Sequence, residues 1–124
     1  MATGSHIITY TLKTNEIDYK SFFNCENIKS IVIPKEIKKI ALRAFSGCSK
    51  LSNITVNSNN PIYDSRDNCN AIIHTRTNKL ILGCKDTVIP NDVKIIGPYA
   101  FEACNGLTTV TIPADLEITS SFAY

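Results

Sequence analysis

No stretch of this chain approaches the ~20 consecutive apolar residues that a membrane-spanning helix needs, so membrane insertion is not expected. Charge of a single sign is also missing. Thirteen lysines and arginines are interspersed with eleven acidic residues for a net charge of +2, which leaves no basic stripe for nucleic acid. There are only two histidines and no Cys-x-x-Cys, so a zinc-type site lacks its ligands. G-x-S-x-G, a Gly-rich phosphate loop and H-E-x-x-H are absent, which removes common signatures of hydrolases, nucleotide-binding enzymes and metalloproteases. These absences describe a non-enzyme with no cofactor. The opening "MATGSH" is short and polar, unlike a signal peptide, and residues 1–7 read as an expression scar or a disordered start. The 124 residues suffice for one domain with a core.

What the chain does have is an internal repeat. "IVIPKEIKKIALRAFSGCSKL" (31–51) could by itself pass for a basic amphipathic helix, with Ile37, Ile40, Ala41, Ala44 and Phe45 at helical spacing. "TVIPNDVKIIGPYAFEACNGL" (87–107) excludes that. Pro34 aligns with Pro90, Ile37 with Val93, Ile40 with Ile96, Phe45 with Phe101, Cys48 with Cys104 and Leu51 with Leu107. The second copy puts Gly97-Pro98 where a helix would have to continue, and proline there removes a backbone donor. Both copies can form a short strand, a turn at the proline, a second short strand and a compact Ala-Phe corner.

"VTIPADLEITSSFAY" follows the second copy at a shift of 23, and "FFNCENIKSIVI" precedes the first at the same shift. The expected division is 8–30, 31–53, 54–86 (enlarged by ten residues), 87–109 and 110–124 (cut short). A period of about 20–29 residues with L-x-x-I-x-I is the leucine-rich-repeat class of coil. One coil cannot bury Ile28, Ile31 and Ile33 alone; stacked on Leu51, Ile54 and Val56, and these on Leu107, Val110 and Ile112, they form a continuous core. Phe22, Phe45, Phe101 and Tyr124 should form an aromatic spine, beside the small Ser21, Ala44, Ala100 and Ala123.

The motif L-x-x-V-T-I-P … I-G-x-Y-A-F-x-x-C-x-x-L resembles the BspA-like leucine-rich repeat, over about residues 20–124. The segment "NNPIYDSRDNCNAIIHTRTNKLILGCKDTVIP" resembles the enlarged repeat of bacterial members. The resemblance implies a β-rich α/β solenoid, a leucine-rich-repeat right-handed coil with stacked short parallel strands and an inserted β-hairpin. It also implies a surface-displayed or secreted protein that binds host or other macromolecules, and it carries no family-wide catalytic residues. The chain stops in mid-repeat, so both ends read as those of a fragment. An uncapped final coil (Ile112, Leu116, Ile118, Tyr124) is expected to expose apolar surface, and to self-associate or fray.

There are five cysteines. Cys25, Cys48 and Cys104 each follow a spine aromatic by three residues, which assigns them to packing as inert thiols. Cys25 and Cys48 lie on adjacent coils, where parallel stacking does not usually give bridge geometry. "CNAIIHTRTNKLILGC" (69–84) reads as a hairpin turning at 75–78. Its expected register sets Ile73 opposite Leu80, Ala71 opposite Leu82, and Cys69 opposite Cys84, as a disulfide or as two packed thiols. His74 then points away from both cysteines, against a Cys–His nucleophile pair, and is a solvated residue. Asp64 and Asp67 suggest backbone caps rather than a cation site. Asn53 begins a glycosylation sequon, Asn-Ile-Thr.

Alternate residues of the first strands should face outward: Ser30 and Val32, Asn53 and Thr55, Asp86 and Val88, Thr109 and Thr111. The set suits a flat protein or glycan contact, or only a well-solvated sheet. The hairpin tip, with His74, Arg76, Asn78 and Lys79, either joins that surface or merely covers the core. The expected role is a non-catalytic interaction module; the alternative is a structural spacer that presents another domain.

Overall fold

The computed structural model describes residues 15–18, 22, 24–102 and 111–119. Its strands are β1 (Glu16–Ile17), β2 (Ser30–Ile33), β3 (Lys39–Ile40), β4 (Asn53–Val56), β5 (Tyr63–Asp64), β6 (Ile72–His74), β7 (Lys79–Leu82), β8 (Ile95–Ile96) and β9 (Ile118–Thr119). The repeat period appears directly in their register. β1 pairs parallel with β3 (Ile17 to Ile40), β2 with β4 (Ile31 to Ile54) and β8 with β9 (Ile95 to Ile118), each at a step of 23 residues. Inward residues Ile31, Ile33, Ile54 and Val56 are buried while Val32 and Thr55 are exposed, the period-two signature of a half-buried strand.

Residues 35–45 form no helix. Ile37 N–H closes a turn onto Pro34 O, β3 follows, and successive i to i+3 bonds then build a corner: Ala44 to Ala41 O, Ser46 to Arg43 O and Cys48 to Phe45 O. Arg43 takes a left-handed φ of 62°, and Tyr99 one of 61° at the equivalent point of the next described corner. Phe45 and Phe101 are only 3% and 4% exposed although both lie in turns. Phe22 and Phe45 stack with ring centroids 4.9 Å apart.

Among the described residues the aromatic spine does not continue from there. Phe101 packs in a second core, and its ring lies so close to Gly83 that a Cβ on that residue would stand 2.2 Å from Phe101 Cε1. Between β7 and β8 the register step falls to 16 (Lys79 to Ile95), too short to hold an Ala-Phe corner. The enlarged segment thus gains residues before β7 and loses a corner after it. Tyr124, Ser21, Ala123, Cys104, Leu107 and Val110 lie outside the described residues.

β6 and β7 form an antiparallel pair with both faces buried. Ile72, Ile73, Leu80 and Ala71 are fully buried, yet Ile72 belongs to the core beneath β1–β4 and Ile73 to the core shared with Val93, Ile96 and Phe101. This wall between two cores explains an apolar run too continuous for a one-sided strand. Burial of each such isoleucine or leucine stabilises by about 1.5–3 kcal/mol.

The wall corrects one expected register. Ile73 does face Leu80, but a bulge between Ile72 and Ile73 sets Ile72, not Ala71, opposite Leu82. A one-residue slip reverses every side chain beyond it. Cys84 Sγ therefore meets Asn70 O at 3.4 Å, and Cys69 and Cys84 enter different cores as free thiols.

A second correction concerns the first strands. No strand precedes Pro90; Val88 N–H instead bonds Cys69 O at 3.0 Å. The reason lies at the edge of β4. Its outward amides, which a following strand would accept, are taken by side chains: Ile54 N–H by Asn70 Oδ1 (3.3 Å) and Val56 N–H by Ser65 Oγ (3.0 Å). Ile40 N–H in β3 is likewise taken by the Tyr63 hydroxyl (3.2 Å).

Candidate interaction surface

The outer face of β2–β4 brings together four of the expected surface residues. Ser30 lies beside Asn53 and Val32 beside Thr55. Val32 is 50% exposed, Asn53 and Thr55 are exposed and Ser30 is half-buried. The face is short and uncharged, with one aliphatic side chain among hydroxyl and amide groups, and it ends where Asn70 and Ser65 cap β4.

The other expected residues are not brought into this sheet. Asp86 and Val88 are exposed in an irregular segment, Val88 at 73%. Thr111 is exposed and outside any strand, and Thr109 lies outside the described residues. Ile112 is 44% exposed, whereas Leu116 packs partly against the second core.

At the tip of the β6–β7 pair Arg76 is exposed. His74 is half-buried rather than freely solvated: its Nδ1 lies 2.8 Å from Thr77 Oγ1 and its ring meets Tyr63 edge-on at 5.8 Å. Burial raises the Tyr63 hydroxyl above its ordinary pKa, against the opposing effect of the bond from Ile40 N–H.

Several polar side chains of the enlarged segment are tied into one network around Arg66. Arg66 donates through Nε and Nη2 to the two carboxylate oxygens of Asp64, both at 2.7 Å, and through Nη1 to Asn78 Oδ1 (2.8 Å) and Asp92 Oδ2 (3.1 Å). Thr75 donates to Asp64 as well (2.6 Å). Burial by itself would raise the Asp64 pKa, but the hydrogen bonds from Arg66 and Thr75 and the guanidinium charge outweigh it and lower the value. Asp64 therefore serves as a cap and ion-pair partner, with both oxygens engaged.

Asn60 was not singled out by sequence reasoning, and it is as heavily used as Arg66 and Asp64. Buried, it donates to Pro34 O and Ile37 O (2.9 Å each) and accepts from Ile62 N–H (2.8 Å) and Tyr63 N–H (2.9 Å). The only sequence signal was an Asn-Asn-Pro turn, which does not reveal a partner 26 residues earlier.

Where the missing corner would stand, a cleft lies between residues 41–48, 81–84 and 98–102. Its free interior has room for about two water molecules, too little for an organic ligand. Side chains bridge its mouth: Arg43 pairs with Glu102 (3.1 Å) and lies over the Tyr99 ring, and Ser46 donates to Glu102 (2.5 Å).

Parallel strands at a 23-residue step, Ala-Phe corners and stacked aromatic turns define a leucine-rich-repeat protein. The chain belongs to the BspA-type leucine-rich repeat family, whose six-copy region matches residues 4–71 and 71–124. This is a repeat-scaffold family, generally without catalysis. Two solved structures are similar. One is a leucine-rich repeat protein from Eubacterium ventriosum, 25% identical over 74% of this chain with a TM-score of 0.63. The other is the pneumococcal vaccine antigen PcpA, 20% identical over 76% of the chain with a TM-score of 0.63, a likeness of fold. The chain spans about a quarter of each of these proteins, 26% and 24% respectively. No curated protein matched the chain.

Proposed function

We propose that this chain is a non-catalytic recognition segment of a surface or secreted repeat protein, wound as a short solenoid with residues 69–84 inserted as a hairpin. The contact is made by Ser30, Val32, Asn53 and Thr55, with Asp86, Val88 and Thr111 continuing the surface outside the regular sheet, Thr109 as a further candidate, and His74 and Arg76 at the hairpin tip. One observation carries the reading: Val32 stays half exposed on a strand whose neighbouring residues Ile31 and Ile33 are buried. A small aliphatic centre ringed by hydroxyl and amide groups suits a flat protein surface or the face of a glycan. Family membership supports the surface or secreted setting, and the pneumococcal vaccine antigen shares the fold.

The test is binding of the full chain to a glycan array and to immobilised extracellular-matrix proteins, compared with Val32→Glu and Thr55→Lys. Binding that both variants lose while keeping the wild-type melting midpoint is the expected result. Binding that neither variant changes overturns the assignment of the face.

The structural-spacer reading is favoured by the enlarged segment. Its Arg66, Asp64, Asn78 and Thr75 are spent on one another, so this part of the hairpin serves rigidity. Absence of any ligand in the same panels, with an unfrayed β6–β7 pair in hydrogen exchange, is the outcome that the spacer predicts.

A further inference from the structure

We propose that Cys25 and Cys48 form a redox-responsive pair, closed by a disulfide oxidant into a bridge between two successive coils. The two cysteines hold the same place, three residues after Phe22 and Phe45, whose rings stack at 4.9 Å with an interplanar angle of 10°. Backbone bonds hold the segments side by side: Phe22 N–H to Ala44 O (3.2 Å) and Asn24 N–H to Ser46 O (2.7 Å). The Cys48 thiol is turned across the gap and donates to Phe22 O at 3.1 Å. The same oxygen accepts the N–H of Cys25 at 3.2 Å. One sulfur and the backbone of the other cysteine thus converge on a single carbonyl.

The two thiols differ in access, and that difference assigns their order. Cys25 is half-buried at the margin of the core, where a small oxidant reaches it; Cys48 is buried. Burial shields Cys48 from outside reagents and, with Cys25 nearby, also pushes its thiol up to about 11. Its attack on a disulfide already formed at Cys25 needs no outside access.

With glutathione disulfide as oxidant the steps balance. The Cys25 thiolate attacks one sulfur, the glutathione S–S bond breaks, and one glutathione thiolate leaves. The Cys48 thiolate then attacks the Cys25 sulfur of the mixed disulfide and displaces the second glutathione. The two cysteine protons end on two glutathione thiols; the protein pair loses two electrons and the glutathione disulfide gains them.

Disulfide Cβ atoms approach to about 3.5–4.5 Å, so closure draws the two turns together. One sulfur of the bridge then lies at the half-buried margin, where a reductant reaches it and redox poise can reverse the step. Cys69 and Cys84 cannot substitute for it, because they enter different cores.

The test incubates the full native chain with glutathione disulfide and maps the non-reduced peptides by mass spectrometry. Expected are a Cys25–Cys48 linked peptide, a mass lower by two hydrogens, a melting midpoint higher by several degrees, and reversal by dithiothreitol. Cys25→Ser, at a half-buried site, should fold, form no linked peptide and show no rise in midpoint. Arrest at glutathionylated Cys25 with Cys48 still a thiol overturns the proposal, as does a linkage through any other pair.

Discussion

Arg43 and Tyr99 occupy the same point of two corners, both with left-handed backbone, and the guanidinium of one lies 4.8 Å from the ring centroid of the other. Nothing in a regular stack would bring them together, because another corner should stand between them. Here the 16-residue step from β7 to β8 omits it, and exposed side chains close the gap instead.

That clasp should be weak. Arg43 keeps 46% of its side chain exposed and Glu102 30%, and such pairs contribute about 0.2–1 kcal/mol. A double-mutant cycle with Arg43→Ala and Glu102→Ala, read by urea denaturation, should give a coupling in that range that shrinks in 1 M salt. A coupling that resists salt would show the cleft to be drier than its exposure indicates.

Gly83 and Phe101 should behave as one unit. Gly83→Ala places a Cβ against the Phe101 ring and should cost about 1–3 kcal/mol by overpacking. Phe101→Ala should cost about 3–5 kcal/mol. The double variant should be less destabilised than the sum, since the methyl then enters space that the ring has left; additive losses in thermal denaturation would place the ring elsewhere.

Asn60→Ala should cost about 2–4 kcal/mol, because it leaves several buried backbone groups without partners. Asn60→Asp should fare no better, since a carboxylate cannot donate to Pro34 O and Ile37 O. Chemical denaturation of both variants checks this, and recovery by Asp alone would contradict the bonding assigned to the amide.

Asp64 has a folded-state pKa lowered below its ordinary 3.8. A depressed carboxylate contributes stability above the unfolded pKa and loses it as the pH falls through the folded value. Stability should therefore decline below about pH 4, and Asp64→Asn should flatten that part of the profile. Equal slopes in the two proteins between pH 4 and 2 would remove Asp64 from the account.

Cys69 should resist alkylation in the native state. Burial pushes its thiol up to about 11 and that of Cys84 also upward. Timed treatment with iodoacetamide should label Cys25 first, and Cys48, Cys69 and Cys84 only on unfolding. A Cys69–Cys84 linked peptide from native protein would restore the unbulged register.

Much of the fold was legible because its signals are local. Ile31, Ile33, Ile54 and Val56 fall at every second position, Pro34 and Pro90 mark turns, and Phe45 and Phe101 recur beside alanine, so the strands, the corners and the buried faces follow from side-chain size and period alone. The site was legible only as far as that alternation held, through Ser30, Val32, Asn53 and Thr55. Asp86 and Val88 match the pattern equally well and still form no strand. Their fate depends on Asn70 and Ser65, which reach the β4 amides first. The split of the core depends in turn on one bulge, between Ile72 and Ile73, that sends neighbouring isoleucines into opposite cores. The sequence by itself determined the period of the coil and which residues in it seek burial, since both rest on covalent spacing and hydrophobicity. Tertiary structure decided where the ladder stops and which core each residue enters, since an amide takes whichever acceptor the folded chain brings within hydrogen-bonding distance.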